Sequence, residues 1–361
     1  MVRSGENRRE IEPMTQTSKL AETERLLALL PVRGKLFHTS LIGAYGADQV
    51  AAAYCGVPYT GTPPPGIWQH GWISKRRSFH PASIIGGWGS YEAVKEKEQF
   101  WVARRDQEET LRSYGYNFVR AIGLPIVYVR KRGGPRVLGS LLVMPVHSLD
   151  TTTHQWDSEE YAEYIASIRH RFSSVVICVH PFCKQKGYWY PAFERRGFRI
   201  VEGALGSDSN SWERLRLLFE SFEFVTTNGY GSHFVYAAYF GAKPSICGPY
   251  AQVRAEDFRD SPLYQDVPEI LEPMLEACSE EVVRKDYPFL FVEPQKATTH
   301  ISWAEQEVGA DCRVSPAELR ALFKWTLAHR LRASIGQSIR RAHRLPRRLS
   351  QRLRAFAGNN A

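Results

Sequence analysis

The chain has 361 residues, 43% of them hydrophobic, including nine Trp, 17 Tyr and 18 Phe, which is material for one large or two medium cores and excludes a disordered or fibrous protein. Its net charge is +9, and the arginines Arg330, Arg332, Arg340, Arg341, Arg344, Arg347, Arg348, Arg352 and Arg354 carry the whole excess; a near-neutral body with a basic tail excludes a nucleic-acid-binding surface spread over the fold. Six scattered cysteines without a C-x-x-C pair read as reduced thiols, and no signal-peptide core or apolar run of about 20 residues is present, so the expected location is the cytoplasm.

In chain order, residues 1–20 read as a flexible leader, with Met14 as an alternative start. The run ETERLLALLP from Glu22 is a short helix, GKLFHTS has strand character, GADQVAAAYCG is a helix, and GIWQHG is a short strand within a Pro/Gly/aromatic loop. ASII opens a strand, turn and helix series through Tyr116, and GLPIVYVR reads as a further strand. Together residues 21–132 form a small α/β unit. The segment Lys131–Arg136, KRGGPR, is the linker candidate.

Residues 137–325 are more regular. Apolar strands at VLGSLLVMPV, SSVVICVHP, FRIVEGA, FEFVTTN and KPSICG alternate with helices of about 10 to 15 residues. Continuous apolar strands between such helices predict a doubly wound parallel sheet buried on both faces, whose ligands sit beyond the strands' carboxyl ends. His147 and Ser148 follow the first of these strands, His180 and Pro181 the second, and the run Thr226, Thr227, Asn228, Gly229, Gly231, Ser232 the fourth.

Each cluster has a chemical reading and a plainer one. His180, where Pro181 forces the chain to turn, can donate to a phosphate, with Lys184 adding charge, or simply cap the strand end. Thr226 to Ser232 can offer amides, hydroxyls and glycines at a helix N-terminus to an anion, or serve as an ordinary capped turn. His147 and Ser148, with the hydroxyl-rich loop Thr151–His154, face a donor or form turns. His70, in GIWQHGWISKRR, is a candidate proton acceptor or a turn residue, and Lys75, Arg76 and Arg77 beside it can receive an anion or form a solvated face.

The ordered pair of a strand-end His-Pro and a Ser/Thr-rich strand-to-helix turn, followed by YFGAKPSI, resembles the C-terminal half of GT-B glycosyltransferases. It is similar in particular to the HP and S motifs of bacterial sialyltransferases and to the CDP-glycerol glycerophosphotransferases of teichoic acid synthesis. The resemblance covers about residues 137–250. It implies two Rossmann-like domains facing a cleft, an α/β GT-B-like fold, and a CMP- or CDP-linked donor held at its phosphate by His180 and Pro181 and by Thr226, Thr227 and Ser232. The His-Gly segment resembles that of surface-polymer transferases and implies His70 as the base facing the acceptor. The sequence departs from the sialyltransferase pattern in lacking an acidic pair followed by Gly, so His70 or Asp48 is the candidate base and the sugar is left open.

No Asp stands two residues from another, so the D-x-D pair of metal-bridged transferases is absent and a metal-independent reaction without cofactor is expected. In the tail, residues 326–361, Leu331, Ile335, Ile339 and Ala342 recur at helical spacing among arginines, which suits an anionic membrane surface, an RNA-binding arm or a solvated tail. The combined expectation is transfer of a sugar, from a CMP-linked donor, to a surface polysaccharide, lipopolysaccharide or lipid-linked glycan acceptor. A UDP-sugar or CDP-glycerol-type transferase is the enzymatic alternative, and a membrane-peripheral scaffold of polysaccharide assembly is the non-catalytic one.

Overall fold

The fold is taken from a computed structural model that describes residues 16–36, 41–59, 64–85 and 99–325. The basic tail, from residue 326 on, and residues 1–15 lie outside the described residues. Among the described residues the strands form two parallel sheets. The smaller contains β1 (Ile67–Trp68), β2 (Phe100–Val102) and β3 (Val119–Ala121) in the order β1-β2-β3. The larger contains β4 (Val137–Val143), β5 (Ser174–Val179), β6 (Arg199–Glu202), β7 (Phe222–Thr227) and β8 (Lys243–Ile246) in the order β6-β5-β4-β7-β8.

The burial of these strands follows from the sequence pattern. All six residues of β5 are buried, as expected of a central parallel strand covered on both faces. Leu142 of β4 joins one apolar cluster with Val176, Phe219 and Phe234. Its neighbours Leu141 and Val143 join a second with Ile177, Tyr161 and Phe193, because successive side chains point to opposite faces. The helices Ser158–Ile168, Ser211–Ser221 and Ser232–Tyr239 provide the crossovers. The chain leaves β4 towards β5 on one side and later returns to pair β7 on the other, which makes the β4/β7 boundary the topological switch point.

Two expectations are corrected. Ala82–Ile85 belongs to the helix Pro81–Ile85 rather than a strand; Pro81 fixes a helical φ, and Ala82 N donates to His80 Nδ1 at 3.1 Å. Pro125–Tyr128 is a 3-10 helix with all four residues buried, since a short apolar run buried on every side has no period to tell strand from helix. In GKLFHTS, Lys35 makes only an isolated bridge to Asp208, and residues 37–40 lie outside the described residues.

Each end of the described chain packs on the other unit. The helix Gln16–Ala28 starts within the expected leader and packs on β4 and β5, with Thr23 Oγ1 2.8 Å from Ser174 Oγ. Conversely, the segment after Glu307 covers the small sheet: Leu124 N donates to Val308 O at 3.0 Å, and the Phe323 ring packs against Trp68 and Trp101 at centroid distances of 5.4 and 4.7 Å. Gly309 is essential to that crossing, having φ +69° and space for no side chain: a Cβ would lie 1.9 Å from Ala103 O.

A histidine-lined cleft at the carboxyl edges of both sheets

The two units are sewn together beside β1. Gln69 Oε1 accepts from Ala103 N at 3.0 Å while its Nε2 donates to Gly71 O at 3.0 Å, which fixes the turn carrying His70. Tyr236 OH donates to His70 O at 2.9 Å and accepts from Trp72 N at 3.1 Å. Trp72 N also donates to Ser232 Oγ at 3.1 Å, and Trp72 Nε1 donates to Glu307 Oε2 at 2.6 Å. The helix Ser232–Tyr239 can take this load because Phe234 to Tyr239 are all buried.

Between the units lies a cavity of about 370 Å³. Residues just past the carboxyl ends of β1, β4, β5, β6 and β7 line it, among them His70, His147, His180, Gly203, Ser232 and His233. This is where an open parallel sheet binds ligands. Tyr45, whose φ of 60° is unusual for a residue with a side chain, places its ring 5.3 Å from His70 and 5.8 Å from Trp212.

The imidazoles are held neutral. His180 caps the short helix Pro181–Gln185, its Nδ1 accepting from Phe182 N at 3.2 Å, so the proton resides on Nε2. Burial, then the neighbouring His147 and Arg33, lowers its pKa to about 3; the His147 and His180 rings are 4.9 Å apart. Burial lowers His70 to about 4, and burial followed by His147 lowers His233 to about 3. The His233 Nε2 is buried without a partner among the described residues, a condition that ordinarily costs about 1–3 kcal/mol and that a ligand would relieve. No carboxylate stands among the described residues lining the cavity, and its one guanidinium is Arg77.

The structure thus brings His70, His147, His180 and Ser232 together and leaves the other candidates behind the cavity wall. Asp48 is buried at the start of the helix Ala47–Tyr54 and accepts from Gln49 N at 2.9 Å and from the Tyr59 hydroxyl; it does not line the cavity, so His70 is the base candidate that does. Pro181 is the first residue of its helix. Lys184 is turned to the surface, 2.9 Å from Glu202 Oε1. Ser148 Oγ is buried within 3.0 Å of Leu149 O and Thr152 O. Thr226 Oγ1 accepts from Ser245 Oγ at 2.9 Å inside the sheet, and Thr227 is likewise buried.

Asn228 ties the ends of β4 and β7 together, its Oδ1 accepting from Val146 N at 3.1 Å. The glycines read as admitting a phosphate have their space taken by protein: a Cβ on Gly229 would meet Val146 Cγ1 at 2.8 Å, and one on Gly231 the His233 ring at 2.6 Å. His154 stacks on Trp156 at 3.8 Å with Nδ1 2.9 Å from Asp257 Oδ2, a structural knot away from the cavity. Missed in the sequence were His233, Tyr45 and Tyr236. His233 had a signal, a second imidazole directly after the helix-start Ser232; the other two had none.

No family model matches the chain, and no curated protein matches it. Solved structures match distantly: UDP-GlcNAc 2-epimerase from Neisseria meningitidis bound to UDP-GlcNAc, at 13% identity and a TM-score of 0.37 over 88% of this chain and 81% of that one; UDP-GlcNAc 2-epimerase from Methanocaldococcus jannaschii in complex with UDP-GlcNAc and UDP, at 13% and 0.36 over 82% and 78%; and S. aureus MnaA with UDP, at 14% and 0.33 over 80% and 82%. At these TM-scores the likeness assigns neither activity nor ligand. Among the described residues no three His, Cys, Asp or Glu side chains converge as a metal site, and no helix is long and apolar enough to cross a membrane.

Proposed function

We propose that the chain is a glycosyltransferase acting on a nucleotide-activated sugar, and that the donor phosphate sits among His180, His233 and Ser232 while the acceptor hydroxyl faces His70. The observation that carries this reading is the cavity itself, where His70 from the small sheet faces His147, His180 and His233 from the large one across the carboxyl edges of both.

The chemistry follows from neutral imidazoles. The acceptor oxygen bonds to the anomeric carbon as the bond from that carbon to the phosphate oxygen breaks, the bonding pair leaves with the phosphate, and His70 takes the acceptor proton. The His180 Nε2–H is free of its capping bond and suited to donate to the leaving phosphate, and the helix at Ser232 directs its positive end towards the same wall. A pKa of about 4 makes His70 by itself a weak base; a bound phosphate raises it, because a nearby negative charge favours the imidazolium. A cytidine-linked donor, a metal-independent reaction and a surface polysaccharide acceptor complete the proposal, with the basic tail docking the enzyme at an anionic membrane.

Thermal melts with CMP, CDP, UMP and UDP test the donor site, since a ligand that binds only the folded state raises the midpoint. One of these nucleotides should stabilise the protein and His180→Ala should remove most of that shift. Melts indifferent to every nucleotide would refute the donor site, and stabilisation by UDP alone would replace the cytidine donor with a uridine one.

A further inference from the structure

The cavity has a second, chemically different arm. Beside Arg77 the wall carries Ile84 and Ile85 of the helix Pro81–Ile85 together with Leu263, Tyr264, Ile270 and Met274, and Ala82 of that helix joins Ile270 in one apolar cluster. The turn Lys75–Arg77 packs against the helix Leu271–Cys278, which carries Met274. Arg77 is therefore a cation set in an apolar arm, the opposite of where a solvated charge settles.

Its neighbours show how unusual it is. Arg76 is paired with Asp286, its Nη2 2.8 Å from Oδ1. Arg104 is held by Asp106 at 2.9 Å and by Glu307 at 3.4 Å. Arg77 has no carboxylate partner among the described residues, and its Nε is buried without a hydrogen bond. The Tyr230 ring stands 5.8 Å from its Cζ, and the Tyr264 hydroxyl lies beside the guanidinium on the cavity wall. Tyr230 OH accepts from Ser74 N at 3.2 Å, which leaves its own hydrogen to donate. A planar guanidinium fork on the cavity wall, with the Tyr264 hydroxyl beside it, matches the several acceptor oxygens of a phosphate.

We infer that Arg77 and the apolar arm form a subsite for a phosphate ester of an apolar alcohol, the phosphate on Arg77 and the hydrocarbon against Ile84, Ile85, Ile270 and Met274. The inference deepens the reading of this cleft as a transferase site by naming a class of second ligand, and its test does not depend on a nucleotide binding.

Calorimetric titration of the full chain with hexyl phosphate, hexanol and inorganic phosphate provides that test. Hexyl phosphate should bind at least about tenfold more tightly than either fragment, and Arg77→Met should lower its affinity about tenfold or more, as expected for loss of one charge-assisted contact. Equal affinity in Arg77→Met, or hexanol binding as well as its phosphate, would overturn the subsite. Should Arg77→Met not fold, Met274→Trp narrows the arm with Arg77 in place and should also weaken hexyl phosphate; an unchanged affinity there would overturn it equally.

Vesicles of phosphatidylcholine, with or without phosphatidic acid, then separate a membrane source of the ester from a soluble one. Retention on phosphatidic acid vesicles that Arg77→Met lowers assigns the lipid, whereas retention that Arg77→Met leaves unchanged, as the basic tail alone would give, or no retention, assigns a soluble ester when hexyl phosphate still binds. If no nucleotide stabilises the protein but hexyl phosphate binds through Arg77, the donor assignment fails and this subsite stands.

Discussion

The five-stranded sheet draws most of its cover from its own stretch of chain, whereas the three-stranded sheet is closed by residues from far along the sequence. In the first, β5 is buried along its whole length beneath crossover helices that immediately precede or follow the strands. In the second, strands of two or three residues build a small local core on one face, where Phe100 and Val102 meet Leu111 and Ile84, but on the face of Trp68 and Trp101 they are closed over by Val308, Gly309, Val314 and Phe323. His70, carried by the small sheet, is therefore positioned by the far end of the chain, while His180 and His233 are positioned by their own sheet.

Ending the chain at Glu307 should have the largest effect. The small unit should then lose its cooperative melt while the large sheet keeps a native-like far-ultraviolet spectrum; a single unchanged transition would show that the small unit closes by itself. Phe323→Ala is a gentler version, expected to cost about 3–5 kcal/mol in denaturant titration through the cavity left between Trp68 and Trp101. Gly309→Ala should cost a similar amount, because its φ of +69° and the contact with Ala103 O leave no place for a methyl group.

Acid should weaken the cleft next. His70, His180 and His233 are held at about 4, 3 and 3, below the ordinary 6.5. The unfolded chain thus binds protons that the folded one refuses, so their contribution to stability is complete above pH 6.5 and is lost as pH falls towards 4. The limiting slope is about 1.4 kcal/mol per pH unit for each imidazole. Urea titrations between pH 7 and pH 5 should show this loss, and stability that rises on acidification through that range would contradict the neutral cluster.

Smaller effects sharpen the contrast between wall and surface. His180→Ala removes a helix cap worth about 1 kcal/mol and should lower the affinity of the stabilising nucleotide about tenfold. Lys184→Ala, which removes an exposed pair with Glu202, should change stability by less than about 1 kcal/mol and leave nucleotide affinity alone. A Lys184 effect as large as that of His180 would move the phosphate out of the cleft and onto the outer face of the Pro181–Gln185 helix.

Much of the large sheet was legible in the sequence, because burial on both faces demands uninterrupted apolar runs such as SVVICV, and the crossovers demand helices between them. Strand ends were legible for the same reason: His147, His180 and Ser232 stand where apolar runs stop. The small sheet was not, since two-residue strands carry no period, and Pro125–Tyr128 and Pro81–Ile85 are buried in ways that give helix and strand the same pattern. Asp48 and Lys184 illustrate the limit for sites: residue type suggested chemistry, but Tyr59 and Glu202 already satisfy them.

The parallel α/β architecture of the second half and the edge at which its histidines emerge are written into the chain, because strand burial and chain reversal are local consequences of apolar runs and Pro or Gly breaks. Packing in three dimensions adds that His70 faces them, that Gly231 makes room for the His233 ring, and that Arg77 has no carboxylate partner among the described residues. Those facts depend on which side chains meet across a cleft, and packing between distant segments leaves no periodic signal in the chain.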